Sequence, residues 1–240
     1  MSKGRKIYLS IIYVLMFLLI AASFFFYVYN KLPLSWGINP AYFSYGCVAG
    51  AFLLSLLALQ KKARNIFVAL GLACTCVADF FLILSPALGL IIKNSQLIGV
   101  CVFCGVQAIF FVYTLILNKG IGTKVFNMAL RVALCLIAYF VLPKYFTIGT
   151  LEMISLMYIL NSFATLLMLL IYIKKEWLLF LGFLLFFVCD IFIGLASGGA
   201  AILGITGPFL DFILKYNIGM YCYIPGLFLI ASSAVWTKKE

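Results

Sequence analysis

The sequence predicts an all-α integral membrane protein: one polytopic domain over residues 1–240 with eight transmembrane helices. Three observations predict it. The chain is 67% hydrophobic and only 10% charged, with a mean hydropathy of +1.24, a composition no soluble domain of this size carries. Its apolar residues gather into eight stretches, each close to the ~20 residues needed to cross a hydrocarbon core. Lysine and arginine fall in the breaks between those stretches, alternately crowded and sparse, as positive-inside topology requires.

The first stretch, Ile7–Tyr29, is 23 residues long. The apolar core of a secretory signal is ~7–15 residues, so this stretch is read as a retained span. Lys31-Leu32-Pro33 and Asn39-Pro40 break the chain before the second span, Ala41–Leu59. The third, Ile66–Leu84, follows Lys61, Lys62 and Arg64 and stops at Ser85-Pro86. The fourth, Leu97–Leu117, stops at Asn118-Lys119-Gly120. The fifth, Val125–Leu142, ends at Pro143-Lys144, and the sixth, Met153–Ile173, at Lys174 and Lys175. Trp177–Leu195 is the seventh and Asn217–Trp236 the eighth. Between these two lies the longest connection, Ala196–Lys215. It offers a Ser197-Gly198-Gly199 hinge and an amphipathic segment, Pro208–Lys215, whose Phe209, Phe212, Ile213 and Leu214 suit an interfacial helix. This segment is expected to cover a cavity mouth that admits a lipid from the outer leaflet; a passive surface loop is the alternative.

Twelve cationic side chains fall on one side: Lys3, Arg5, Lys6, Lys61, Lys62, Arg64, Lys119, Lys124, Lys174, Lys175, Lys238 and Lys239. Lys31, Lys93, Lys144 and Lys215 make four on the other. Both termini are therefore expected in the cytoplasm. The membrane would be the plasma membrane in a bacterium and otherwise the endoplasmic reticulum. The net charge of +11 is spread through short loops, so topology accounts for it and nucleic acid is not an expected partner. Arg131 stands apart, seven residues into the fifth stretch. It is expected to snorkel to the cytoplasmic interface, with a lipid-phosphate contact as the alternative.

The eight cysteines all sit in apolar stretches and read as small packing residues. Cys101-x-x-Cys104 lacks the βαβ setting of a redox pair. The six acidic residues are more telling. Glu152, Glu176, Asp211 and Glu240 fall at or between stretch ends, but Asp79 and Asp190 lie alone inside apolar runs. A carboxylate there costs ~2.5–3.5 kcal/mol on insertion scales, so a cavity or a reaction is expected to need it. Both lie about five residues from the outer end of inside-to-outside spans, at one shared depth.

The third and seventh spans align with a constant offset of 111: Leu70 with Leu181, Gly71 with Gly182, Val77 with Val188, Asp79 with Asp190, Phe81 with Phe192, Leu84 with Leu195. The fourth and eighth align at 120, through Ile98-Gly99 with Ile218-Gly219 and Lys119 with Lys239. A four-plus-four parallel repeat follows, with its pseudo-twofold axis along the membrane normal, which would set the aspartates across one central cavity. Two unrelated helices that each needed an acid are the alternative.

Three motifs carry a family resemblance. Ala78-Asp79-Phe80-Phe81-Leu82-Ile83 resembles G-D-x-x-L. Cys189-Asp190-Ile191-Phe192-Ile193-Gly194-Leu195 resembles S-D-x-x-(I/L)-A-L. Tyr223-Ile224-Pro225-Gly226-Leu227-Phe228-Leu229-Ile230-Ala231 resembles Y-x-x-x-Q-x-L-I-A. Together they resemble the YhhN-like lysoplasmalogenase family of eight-span membrane proteins. Gln107 and Leu227 stand where that family carries histidine and glutamine. The resemblance implies cleavage of the vinyl ether bond of a lysophospholipid, releasing a fatty aldehyde and glycerophospho-ethanolamine or -choline.

That reaction begins with proton transfer to the enol carbon. An oxocarbenium ion forms, water adds, and the hemiacetal collapses. One acid and one carboxylate suffice, as in glycosidases, so Asp79 and Asp190 are the expected catalytic pair, sharing one proton. Gln107, Tyr113, Asn161 and Tyr223 are the expected substrate-binding residues. The reaction calls for no cofactor and no metal. The chain has no histidine, which excludes a histidine-built zinc site. A Cys/Asp site from Cys74, Cys76, Asp79, Cys189 and Asp190 is a minor alternative, weakened because Cys74 lies off the Cys76–Asp79 helix face. The expected partners are the lysophospholipid substrate and membrane lipids. Two rival readings share the same features: a small proton-coupled transporter, and a lipid-binding protein without catalysis.

Overall fold

A computed structural model describes residues 3–29, 39–59, 62–146, 148–196 and 205–236. The described residues are mostly helical, joined by short turns, with no strand among them. The helices are α1 (Lys3–Tyr29), α2 (Ala41–Leu57), α3 (Ala63–Asp79), α4 (Ser95–Leu117), α5 (Ile121–Leu136), α6 (Thr150–Ile171), α7 (Ile173–Gly194), α8 (Pro208–Tyr216) and α9 (Ile218–Val235). Seven helical segments are long and apolar enough to cross a membrane; α2, 17 residues, is a shorter apolar helix. The expected all-α membrane class is what the structure has, with seven full-length candidate spans where the sequence suggested eight.

Three helices continue past their regular ends through a wider turn, α7 at Leu195–Ala196 and, over five residues each, α3 and α5. After α3, Phe80–Leu84 is π-helical, and the Ser85 N–H bonds five residues back to the Phe80 carbonyl. After α5, Ile137–Val141 does the same, with the Leu142 N–H on the Ile137 carbonyl. In both cases proline follows at once, Pro86 or Pro143. A proline has no N–H for the next bond and its ring crowds the carbonyl four residues back, so the preceding turn widens. α7 is kinked near its start, where Glu176 leaves helical geometry. Its straight part therefore begins at Trp177, where the seventh stretch was expected to begin.

Six helices close a ring of mutual contacts in the order α2, α3, α4, α6, α7, α9. α1 packs outside on α2, and α5 outside on α6. The tightest seam, α7 against α9, depends on two glycines. A Cβ on Gly182 would lie 2.9 Å from the Gly226 carbonyl oxygen, and one on Gly226 would lie 3.0 Å from the Gly182 carbonyl oxygen. Lipid gives helices no hydrophobic reason to associate, so close backbone approach through small residues supplies the packing. Pro225 sits inside α9, where its missing bond is tolerated against packed neighbours. The ring centre is apolar, formed by Leu72, Val106, Phe110, Phe183, Phe186 and Leu227. At the ends of the ring helices, Arg64 of α3 pairs with Glu176 of α7, both largely buried.

The amphipathic segment expected over Pro208–Lys215 is the helix α8. Ile213 is buried, while Phe209, Phe212 and Leu214 are exposed. Pro208 opens it after Gly207, whose φ of 113° is open to glycine. The hinge Ser197-Gly198-Gly199 lies outside the described residues.

Candidate active site

Asp79 is the last regular residue of α3, immediately before the π-helical turn. Asp190 lies in the last two turns of α7. Each carboxylate accepts a hydrogen bond from a tyrosine. The Tyr223 hydroxyl, from α9, donates to Asp79 Oδ2. The Tyr158 hydroxyl, from α6, donates to Asp190 Oδ2 at 2.7 Å. Tyr158 and Tyr223 are both buried; Asp79 is buried at 2% exposure and Asp190 only partly. A buried carboxyl needs such a partner, because leaving it without one costs several kcal/mol. Both bonds engage Oδ2, so Oδ1 is the oxygen from which a proton could move.

Aromatic rings join the two pairs. Phe186 lies 5.4 Å from Tyr223 and 5.9 Å from Phe103, and Phe103 lies 5.8 Å from Tyr158. Among the described residues, the ring centre holds an apolar void of about 10 Å³ beside Thr75, Phe110 and Phe186, with phenylalanine side chains from α4 and α7 along the axis.

The larger described cavity, about 230 Å³, opens between α4 and α6. Gln107, Phe111, Met157, Tyr158 and Asn161 line it. Behind it runs a buried polar network centred on Arg131. Its Nε donates to Asn127 Oδ1 at 3.0 Å. Nη1 donates to Asn161 O and Oδ1, both at 3.1 Å, and Nη2 to Thr165 Oγ1 at 3.0 Å. The guanidinium also lies over the Phe111 ring, 4.6 Å from its centre. Thr165 in turn donates to Gln107 Oε1 at 3.3 Å, and Asn127 Nδ2 to Thr114 at 3.0 Å. Arg131 is 6% exposed, so the expected snorkelling does not occur. The physical reason is depth: the helix begins at Ile121 rather than Val125, which sinks Arg131 ten residues, ~15 Å, from its end. Asn161, Thr165 and Asn127 also offer it acceptors nearer than the interface.

Of the residues the sequence singled out, Asp79 and Tyr223 meet directly, and Gln107 and Asn161 line one cavity. Tyr113 lies elsewhere, buried beside Arg64 and Glu176 and 5.8 Å from the Phe67 ring. It is six residues along α4 from Gln107, ~9 Å away. Sequence reasoning missed Tyr158, Thr165 and the role of Arg131. One signal was present: Tyr158, Asn161 and Thr165 share a helix face at i, i+3 and i+7. Cys74, Cys76, Asp79, Cys189 and Asp190 do not converge into a metal-holding group; none of three or more such side chains occurs among the described residues.

No family model, no curated protein and no solved structure matches this chain.

Proposed function

We propose that this chain is a lysoplasmalogenase-like membrane hydrolase, of the YhhN-like kind, that cleaves the vinyl ether bond of a lysophospholipid. The observation that carries the reading is the pair of carboxylates, Asp79 and Asp190, each held by a tyrosine hydroxyl within one aromatic cluster. In this reading one aspartate delivers a proton from Oδ1 to the enol carbon. The other, ionised, stabilises the oxocarbenium ion and takes a proton from the water that adds to it. The resulting hemiacetal loses the glycerol oxygen as an alcohol and leaves a fatty aldehyde. Tyr158 and Tyr223 are positioning residues that fix the two carboxyl planes. Phe103 and Phe186 exclude bulk water and offer π-faces to the cation.

The accompanying architecture is eight spans, with α2 completing the set, both termini cytoplasmic, and a four-plus-four parallel repeat. Two contacts support the repeat. Gly71 packs against Phe110, and Gly182 against Ile230; Gly99 packs against Leu82, and Gly219 against Ile193. The glycines belong to the alignment, and the offsets of 120 and 111 then carry their partners as well, Phe110 onto Ile230 and Leu82 onto Ile193. The contact ring supports it too: exchanging α1–α4 with α5, α6, α7 and α9 leaves the order unchanged.

A proton-coupled transporter is the second reading, favoured by a buried arginine at mid-depth. Incubating the purified protein with a lysoplasmalogen and analysing the lipids by mass spectrometry separates the two. Release of aldehyde and the glycerophospho product supports the hydrolase; an intact substrate with saturable uptake into vesicles supports the transporter.

A further inference from the structure

Arg131 has no carboxylate beside it: its partners among the described residues are neutral oxygens of Asn127, Asn161 and Thr165. It stands ~15 Å from the start of α5, near the middle of a ~30 Å hydrocarbon core. A cation is expensive at that depth and is ordinarily paired with an anion. Arg64 and Glu176, at the helix ends, balance each other. Inside the apolar runs, the described residues then leave one cation, Arg131, and two carboxyl groups, Asp79 and Asp190. Such an interior is neutral when one aspartate is ionised and the other carries a proton.

A chain of polar groups joins the arginine to one of them. Arg131 Nη2 donates to Thr165 Oγ1 at 3.0 Å. The Thr165 hydroxyl donates to Gln107 Oε1 at 3.3 Å and shares its proton with the Asn161 carbonyl at 3.0 Å. Gln107 is buried, and its Nε2 is turned to the Tyr158 hydroxyl. Tyr158 donates to Asp190 Oδ2 at 2.7 Å. Tyr158 and Thr165 lie two turns apart on α6, so one helix face carries the chain from mid-depth to the carboxylate. An arginine can only donate and an ionised carboxylate only accept, so each proton along the chain can point toward Asp190. Hydrogen bonds in series polarise one another in a medium of low dielectric. The titratable groups around Asp190 and its neighbour Cys189 are Tyr158, Asp79, Cys222 and Tyr223, none of them a cation. Asp79 has no matching chain among the described residues. Its tyrosine, Tyr223, lies against the Phe186 ring, and α1, the helix that would correspond to α5 in the repeat, carries no charge after Lys6.

We infer that Arg131 is the countercharge of Asp190, acting through Thr165, Gln107 and Tyr158, so that Asp190 is the ionised member of the pair and Asp79 holds the proton. The acid and base roles rest on the hydrolase reading; the charge link does not. In that reading Asp79 gives its proton to the enol carbon, and Asp190 takes one from the water that adds to the oxocarbenium ion. Collapse of the hemiacetal returns its hydroxyl proton to Asp79, and the proton on Asp190 leaves with the glycerol oxygen. Gln107, expected to bind substrate, is then a positioning residue, as is Arg131.

The test is infrared spectroscopy of the purified full chain in detergent, read where protonated carboxyl groups absorb. At neutral pH the wild type should show such a band; Asp79→Asn should remove it and Asp190→Asn should keep it. In the Asp79→Asn background, Arg131→Gln should raise the pH at which the Asp190 band is half developed by about one unit or more, because the ionised form loses its countercharge. Gln107→Met, close in size, cuts the chain but leaves the arginine, and should move that pH the same way. If Arg131→Gln does not fold, Gln107→Met decides alone. A band removed by Asp190→Asn and kept by Asp79→Asn overturns the assignment, and a midpoint unmoved by the variants overturns the link. In turnover, the low-pH limb of kcat, which needs Asp190 ionised, should move upward with the midpoint. The expected infrared result without aldehyde release from lysoplasmalogen would sink the hydrolase reading and leave the charge link standing.

Discussion

The unit of this site is an aspartate held by a tyrosine, twice over. Asp79→Asn and Asp190→Asn are each expected to reduce aldehyde release by ~10²–10⁴-fold, the usual cost of losing an acid or a base, with little change in melting temperature. The double variant should be little worse than either single one, because the two act as a unit. Tyr158→Phe and Tyr223→Phe remove one hydrogen bond to a carboxylate, worth ~1.5–3 kcal/mol. Each should lower kcat by ~10–100-fold with KM nearly unchanged, read from initial rates of aldehyde formation. The two acids were legible in the sequence because a lone charge in an apolar run has few structural excuses. Tyr223 was legible only through its motif. Tyr158 was not, since one of 14 tyrosines on an apolar helix reads like any other aromatic packing residue. Arg131 was visible but misread, because hydropathy starts the fifth span at Val125 whereas the helix starts at Ile121.

Helix seams here are set by glycine rather than by bulk. Gly182→Leu places side-chain carbon where the Gly226 carbonyl and Ile230 already lie within 3 Å. It should destabilise the protein by ~1–3 kcal/mol or more as an overpacked core does, seen as a lower Tm in detergent. Gly105→Ala meets nothing within 4 Å and should leave Tm level or slightly raised, since alanine favours helix. The helices and most of their boundaries were legible, because length and hydropathy fix them, although the second is too short to count with the seven full-length candidate spans. The widened turns after Asp79 and Leu136 were not read from the sequence, although Pro86 and Pro143 stand where they would cause them. Glu176 was read as a stretch-end residue, and its pairing with Arg64 depends on α3 and α7 lying together. Glu176→Gln leaves Arg64 buried without its countercharge and should cost ~3–5 kcal/mol, again measured as a fall in Tm.

Among the described residues, six helices enclose an apolar axis, and buried polar chemistry gathers at three levels, one of them the Arg64–Glu176 pair at the starts of α3 and α7. The carboxylates lie toward one end, and the Arg131 network lies at mid-depth. The shared depth of the aspartates came from counting residues along two spans, and the structure couples them through Phe103 and Phe186. What counting could not supply was the lateral relation of α4, α5 and α6, which places the cavity off the axis. Cysteine labelling near Lys3 and Lys239 should find both ends on the cytoplasmic face, following the twelve-to-four charge asymmetry; ends on opposite faces would remove the eight-span arrangement. The central claim is that two tyrosine-held aspartates hydrolyse a vinyl ether. Its most direct test is mass spectrometry of lysoplasmalogen incubated with the purified protein and with its Asp190→Asn variant. The account predicts aldehyde and glycerophospho product in equal amounts from the wild type and a loss of at least ~10²-fold in the variant. Equal aldehyde release by the two proteins, or none by the wild type, would contradict it.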